Sequence, residues 1–315
     1  MLDDSNQHTP RAAMAGGRAA RSAGTLVLLL ALSFAPLFGA AEEAGKGAAQ
    51  GPVRVATLLP FVAAALADVP EQAVVVASVR RSMHEAPTPG VIDLGSPHSP
   101  SFEKLAESRP DLVVAERGMH AALADKLSRT GAEVVLIDTS SVDSTFAGLR
   151  TVGAKVNAAT KIDGQIARAQ EEIRDQALAQ PLTTLPIFGT PGSFMLITDR
   201  TWLGDLLGKL NFKNAASAPS GNERIPGYVE LSDELLAGLK PQIVLLVAHG
   251  DVPAIRAALS KRIGEDGSWR SVRDAADRGV HVLDANVFQT NPGLAMAEAA
   301  RELRRLAEQK VATAK

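Results

Sequence analysis

The chain has no cysteine among its 315 residues. That excludes disulfides, thiolate metal sites and a cysteine that would carry a lipid anchor. Aromatic residues are scarce at 4%, with Tyr228 the one tyrosine and only two tryptophans, so a large pocket walled by aromatic rings has little material. A basic excess is missing too. The formal net charge is −2, which leaves no electrostatic footprint for nucleic acid as a partner. Nor does the sequence contain a Gly-x-Ser-x-Gly elbow, a Gly-x-x-x-x-Gly-Lys phosphate loop or a His-Glu-x-x-His pair. No two carboxylates are paired by spacing for acid/base work, so catalysis has little support.

What is there is an ordinary globular balance, 46% hydrophobic and 22% charged, behind an unusual first segment. Arg11, Arg18 and Arg21 precede an apolar run from Thr25 to Phe38, and the small residues Gly39-Ala40-Ala41 follow. A charged region, a short apolar region and a small-residue cleavage site make a secretory signal peptide of residues 1–41. Ser33 and Pro36 interrupt the run, which falls short of the roughly 20 residues of a membrane span. The expectation is export to the periplasm, free of any lipid anchor. Residues 42–51 are small and polar, a loose mature terminus.

From Pro52 the chain alternates strand and helix patterns, the rhythm of an α/β fold. Val53 to Leu59, Val74 to Ala77, Leu112 to Ala115 and Val134 to Ile137 are apolar runs of the kind that fill parallel sheets covered on both faces. They assign a first α/β lobe to residues 52–154. Residues 155–178 follow without proline, and Ile162, Ile166, Ala169, Ile173 and Ala177 recur at helical spacing. A helix of about 24 residues is about 36 Å long, enough to join two lobes; the linker is placed at 155–180. Pro181 then opens a second α/β series through residues 181–315, with strands at 185–188, 194–197, 243–248 and 280–283. The halves share a phrase. Phe102 to Val114 and Asp233 to Leu245 each open a helix on an acid, reach a basic residue before proline (Arg109-Pro110, Lys240-Pro241) and run into a strand, which points to two similar lobes.

Two of the six histidines stand out by position. His98 lies in Gly95-Ser96-Pro97-His98-Ser99-Pro100, where each proline fixes its own φ and keeps the residue before it extended. Ser99 with Pro100 reads as a helix start, Ser as cap and Pro at the first helical position. His249 directly follows the run Ile243 to Ala248, and open α/β sheets bind ligands beyond the carboxyl ends of their strands. His8 leaves with the signal peptide, His84 sits in a loop, His120 at a helix start and His281 inside a strand. These are read as structural or surface residues.

Gly95 to Pro100, with Glu103-Lys104-Leu105 and Arg109-Pro110-Asp111-Leu112-Val113, resembles the signature of the periplasmic binding proteins for iron-siderophores, heme and cobalamin. The resemblance covers roughly residues 52 to 310. It implies a class III architecture, two Rossmann-like lobes joined by a single rigid helix, in a monomer that is not an enzyme and that hands its ligand to an ABC transporter permease of the inner membrane. Glutamates on the two lobes dock on that permease; the matching positions are Glu103 and Glu234. Gly189 to Phe194, Leu203 to Leu206 and Ala248-His249-Gly250 are similar to the heme receptors of the staphylococcal iron-regulated surface determinant type. There a methionine takes the place of His98 and a histidine that of His249, holding heme iron from opposite lobes. The resemblance therefore implies heme as the transported ligand, with His98 and His249 as its axial ligands. A thioether favours reduced iron relative to nitrogen, so a bis-histidine pair implies ferric, six-coordinate, low-spin heme. A ferric siderophore or cobalamin on the same scaffold is the alternative.

Overall fold

The computed structural model describes residues 51–313 apart from 81–85, 87, 218–222, 224, 238, 266–268, 270, 271, 274 and 276–279. The expected signal peptide and most of the loose terminus lie outside these residues, as does His84. The first lobe has β1 (Val53–Thr57), α1 (Pro60–Leu66), β2 (Ala73–Ser78), β3 (Ile92–Asp93), β4 (Gly95–Ser96), β5 (Ser99–Pro100), α2 (Phe102–Glu107), β6 (Leu112–Glu116), α3 (Arg117–His120), α4 (Ala124–Ser128), β7 (Glu133–Ile137) and α5 (Val142–Lys155). After α6 (Ala159–Asp175) come β8 (Leu182–Thr190), β9 (Ser193–Ile197), α7 (Trp202–Lys209), β10 (Phe212–Asn214), β11 (Tyr228–Glu230), α8 (Asp233–Ala237), β12 (Ile243–Ala248), α9 (Val252–Glu265) and β13 (Val280–Val282). Two helices close the chain, Ala285–Phe288 and Met296–Thr313.

The first sheet is parallel throughout, in the order β3-β2-β1-β6-β7. The second runs β11-β9-β8-β12-β13, with β10 beside the first half of β8; β8, β10, β12 and β13 are parallel, while β9 and β11 pair antiparallel. The continuous apolar runs are where they are needed. All six residues of β12 and the first four of β6 are buried, since central parallel strands are covered on both faces.

The repeated phrase has one physical meaning in both lobes. Each copy ends a short helix, α2 or α8, and feeds a central strand, β6 or β12. Asp111 donates its backbone N–H to Arg54 O and accepts the Arg54 N–H on its carboxylate, both at 2.8 Å. Gln242 does the same with Thr183, N–H to carbonyl and side-chain oxygen to N–H, again at 2.8 Å. The residue after each proline thus closes the foot of the sheet and sets the register of its strand against β1 or β8.

The expected 24-residue helix is shorter and divided. α5 already occupies Val142–Lys155, and Asn157 at φ +57° ends it, with the Ala158 N–H returning to Gly153 O at 2.8 Å; this is the left-handed helix stop that Asn tolerates well. α6 then runs for 17 residues, about 26 Å. Ile162, Ile166, Ala169 and Ile173 form its buried stripe, while Ala177, past its end, is exposed. Each of those isoleucines contributes about 1.5–3 kcal/mol on burial.

The lobes are not held by that helix alone. One apolar cluster runs from Val55, Phe61 and Phe146 through the α6 stripe to Leu206, Leu245 and Leu303. Polar ties join it. Asp205 of α7 accepts the Val142 N–H at the start of α5 (2.8 Å), and Lys209 pairs with Asp143 at 2.8 Å. The Asp143 carboxylate raises the Lys209 pKa above the usual lysine range. Asn291 donates to Thr139 O (3.2 Å) and Thr145 Oγ1 (2.9 Å). Gly293, at φ +60°, lies where a β-carbon would stand 2.6–2.7 Å from the Phe61 ring and its β-carbon. Gly293→Ala is therefore expected to destabilise the protein by about 1–3 kcal/mol through overpacking between the lobes. Denaturant unfolding measures this; a variant as stable as the parent would show that the contact yields freely.

Candidate functional site

His98 sits in a hairpin turn, where the sequence pattern expected a helix cap. β4 and β5 pair antiparallel, Gly95 with Pro100 and Ser96 with Ser99, leaving Pro97 and His98 as the turn. The cap of α2 is Ser101, whose hydroxyl accepts the Lys104 N–H at 3.3 Å. The expected cap was two residues early because Pro100 pairs in the hairpin and is buried. The hairpin follows the carboxyl end of β3. Its root is fixed by Asp93, which accepts the Gly95 N–H at 2.8 Å, and by Leu94, whose carbonyl accepts the Ser101 N–H at 2.9 Å. The His98 N–H bonds Ser96 Oγ at 3.2 Å, and the residue is exposed.

Behind the turn stands His120, 1% exposed. It ends α3, beyond the carboxyl end of β6, rather than starting a helix as expected. Its Nδ1 accepts the Glu116 N–H at 3.0 Å, so its other nitrogen carries the hydrogen and Nε2 donates to Pro97 O at 2.8 Å. The Glu116 carboxylate caps α3 at the Met119 N–H and accepts the Thr139 hydroxyl at 3.3 Å.

His249 is the first residue past β12. Its N–H bonds Gly189 O at 2.8 Å, extending the β12–β8 ladder by one step. Gly250 at φ +125° then turns the chain, a conformation that glycine alone adopts readily. Asp251 caps α9 through the Ala254 N–H at 2.9 Å. The imidazole is exposed, with Nδ1 2.7 Å from the Gln289 amide. The Phe188 ring lies 6.0 Å from it, centroid to centroid, and Tyr228 meets Phe188 edge-on at 5.5 Å. Burial pushes the Tyr228 phenol up from its ordinary pKa, which disfavours phenolate as a ligand. Among the described residues, no three His, Cys, Asp or Glu side chains converge as a site for a bare metal ion.

Glu103 and Glu234 are both exposed, each in the first turn of its helix, α2 and α8. Glu234 accepts from its own backbone N–H and from the Ser232 hydroxyl, which hold its carboxyl below the ordinary glutamate range. His281 lies on the edge strand β13, opposite Leu245 of β12.

Residues 55–304 match the model of the periplasmic binding protein family. This chain belongs to that family. Its members are solute-binding, non-enzymatic components of ABC uptake systems. Among curated relatives of the periplasmic binding protein, the high-affinity heme uptake system protein IsdE of Staphylococcus aureus is 19% identical over 203 residues, 63% of this chain and 68% of IsdE. Among solved structures, S. aureus IsdE complexed with heme superposes with a TM-score of 0.68 at 17% identity, over 81% of this chain and 99% of that one. The periplasmic heme binding protein HutB of Vibrio cholerae gives 0.65 at 17%, over 81% and 98%. The siderophore-binding protein FeuA of Bacillus subtilis, complexed with ferri-bacillibactin, gives 0.61 at 17%, over 80% and 92%. These likenesses establish a class III fold.

Three residues in the surroundings of the two candidate histidines are not marked by the sequence reading. His120 does have a visible signal, its place past the end of an apolar run like that of His249. Gln289 and Asn291 carry no such mark, because their partners lie 40 to 152 positions away. For Glu234, NMR titration of its carboxyl is expected to show a midpoint below that of free glutamate, moving part-way back in Ser232→Ala. The depressed value means that the associated stability is present above the ordinary glutamate pKa and is lost as pH falls through the lowered one. An ordinary midpoint in the parent protein would contradict the two hydrogen bonds.

Proposed function

We propose that this periplasmic binding protein carries heme between its lobes, with His98 and His249 as axial ligands, and delivers it to an ABC permease that it meets through Glu103 and Glu234. The carrying observation is that, among the described residues, each lobe presents an exposed imidazole beyond the carboxyl end of a parallel strand, His98 past β3 and His249 past β12. Two nitrogen donors leave a bare divalent ion under-coordinated. They suit an iron already held in its equatorial plane by a macrocycle, where only the two axial positions remain to be filled.

The neighbours of His249 support the same cargo. Phe188 and Tyr228 place aromatic surface beside the imidazole, and the raised phenol leaves nitrogen as the better ligand on that side. Two neutral imidazoles stabilise ferric iron in a low-spin state, in contrast to a methionine–histidine pair. In this reading the protein is a monomer, exported by residues 1–41 and free in the periplasm. Glu103 and Glu234 stand exposed on separate short helices, available as two acidic contacts for basic groups on the permease.

Titrating the mature protein with hemin is expected to give one heme per chain and a six-coordinate, low-spin ferric spectrum. His98→Ala and His249→Ala should each convert it to a five-coordinate form and weaken binding at least about tenfold, a loss of about 1.4 kcal/mol, and the double variant should lose axial ligation. Tight binding of a ferric catecholate or cobalamin without hemin binding would decide for the alternative cargo. For docking, Glu103→Ala and Glu234→Ala are expected to lower heme transfer to permease-containing vesicles without altering the hemin titration; unchanged transfer in the double variant would remove them from the interface.

A further inference from the structure

His98 and His249 are joined through the protein by links that cross from one lobe to the other. Pro97, beside His98, is held at its carbonyl by His120 Nε2 (2.8 Å), and His120 Nδ1 by the Glu116 N–H (3.0 Å). The Glu116 carboxylate holds the Thr139 hydroxyl (3.3 Å), and Thr139 O accepts from Asn291 (3.2 Å). Two residues earlier, the Gln289 amide meets His249 Nδ1 at 2.7 Å. This last stretch is itself well anchored. The Gln289 N–H bonds Ala285 O, Asn291 Oδ1 accepts the Gly293 N–H at 2.9 Å, and the preceding Phe288 is buried and stacked on Trp202.

We propose that this chain, His120, Glu116, Thr139 and Asn291 with Gln289, positions both imidazoles and sets the span between them. The proposal rests on the heme reading for its consequence but not for its geometry. His120 acts on His98 through Pro97: both of its nitrogens are committed to backbone groups, which fixes the orientation of the ring. Gln289 acts on His249 directly. Turned through 180°, the amide presents its oxygen to Nδ1–H, which leaves the Nε2 lone pair free for iron and raises its basicity. Asn291 ties that segment to the first lobe at two points, Thr139 O and Thr145 Oγ1. A pair of axial ligands on separate lobes binds one iron well only if the gap between them is set beforehand, because each ångström of adjustment would be made against the packed seam. All five are positioning residues; none is a ligand.

The test uses the full mature chain with hemin as probe. Asn291→Asp is isosteric and keeps the acceptor for the Gly293 N–H but loses both donors. It is expected to weaken hemin binding about 10–100-fold, the range for outer-shell groups, and to turn part of the low-spin spectrum to five-coordinate. Gln289→Glu should keep the low-spin spectrum and lower the reduction potential, whereas Gln289→Ala should loosen ligation. His120→Gln, which can still donate to Pro97 O, should retain more low-spin heme than His120→Phe. A merely structural role would lower stability without sorting the variants in this way, and a low-spin spectrum and potential unchanged across the set would overturn the proposal. In the ligand-free protein, Asn291→Asp is expected to move the ring ¹⁵N signals of His249, a group that it does not touch. Unmoved signals would overturn the network whatever the cargo, while failure of the parent protein to take hemin would overturn the heme reading alone.

Discussion

The arrangement of both lobes depends on the seam where residues 289–293 meet the first lobe. Asn291 satisfies a backbone carbonyl and a hydroxyl there, and two residues on, a glycine lets the chain lie against Phe61 with no room for a side chain. Asp205 at the first N–H of α5 and Lys209 at Asp143 add ties nearby. The exposed ion pair is worth little alone. The half-buried amide and the apolar cluster continuous across the seam matter more, since separating them would strand polar groups and open packed surface together.

That constraint explains the economy of the proposed site. Among the described residues no metal cage is formed, and in the proposed site each lobe contributes one imidazole on a short, stiff piece of backbone. His98 is on a two-residue turn between paired strands, and His249 is hydrogen-bonded to the neighbouring strand and followed by a glycine turn. Rigid mounts would make such a pair effective, because the entropy of bringing the two into place has been spent in folding. The same logic makes the identity of each donor decisive. In the proposed site, exchanging one axial donor for another would leave the mount alone and change the iron state that it favours.

Much of the scaffold was legible along the chain. The apolar runs marked the central strands of both sheets, and the repeated phrase marked equivalent helix–strand units whose Asp111 and Gln242 close the two sheets by the same pair of bonds. The misreadings were local. The 155–178 pattern is helical in its stripe, but α5 extends into it and Asn157 divides it, since apolar spacing does not reveal where a left-handed residue stops a helix. Ser99-Pro100 has the composition of a helix start, yet cross-strand pairing with Gly95 and Ser96 takes it for a hairpin; tertiary hydrogen bonds outweigh a cap preference worth about 1 kcal/mol.

Composition and periodicity by themselves determined the class of this protein: an α/β chain of two related halves, without thiols, without a basic excess and with a histidine after a buried strand in the second half. Those properties are local, written in neighbours and in periods of two and of three to four. Which side chains support those histidines was decided only by the tertiary structure. His120 reaches Pro97 across 23 positions, Gln289 reaches His249 across 40 and Asn291 reaches Thr139 across 152. Bonds of that reach are set by how two sheets pack, and residue type alone does not mark the residues that make them.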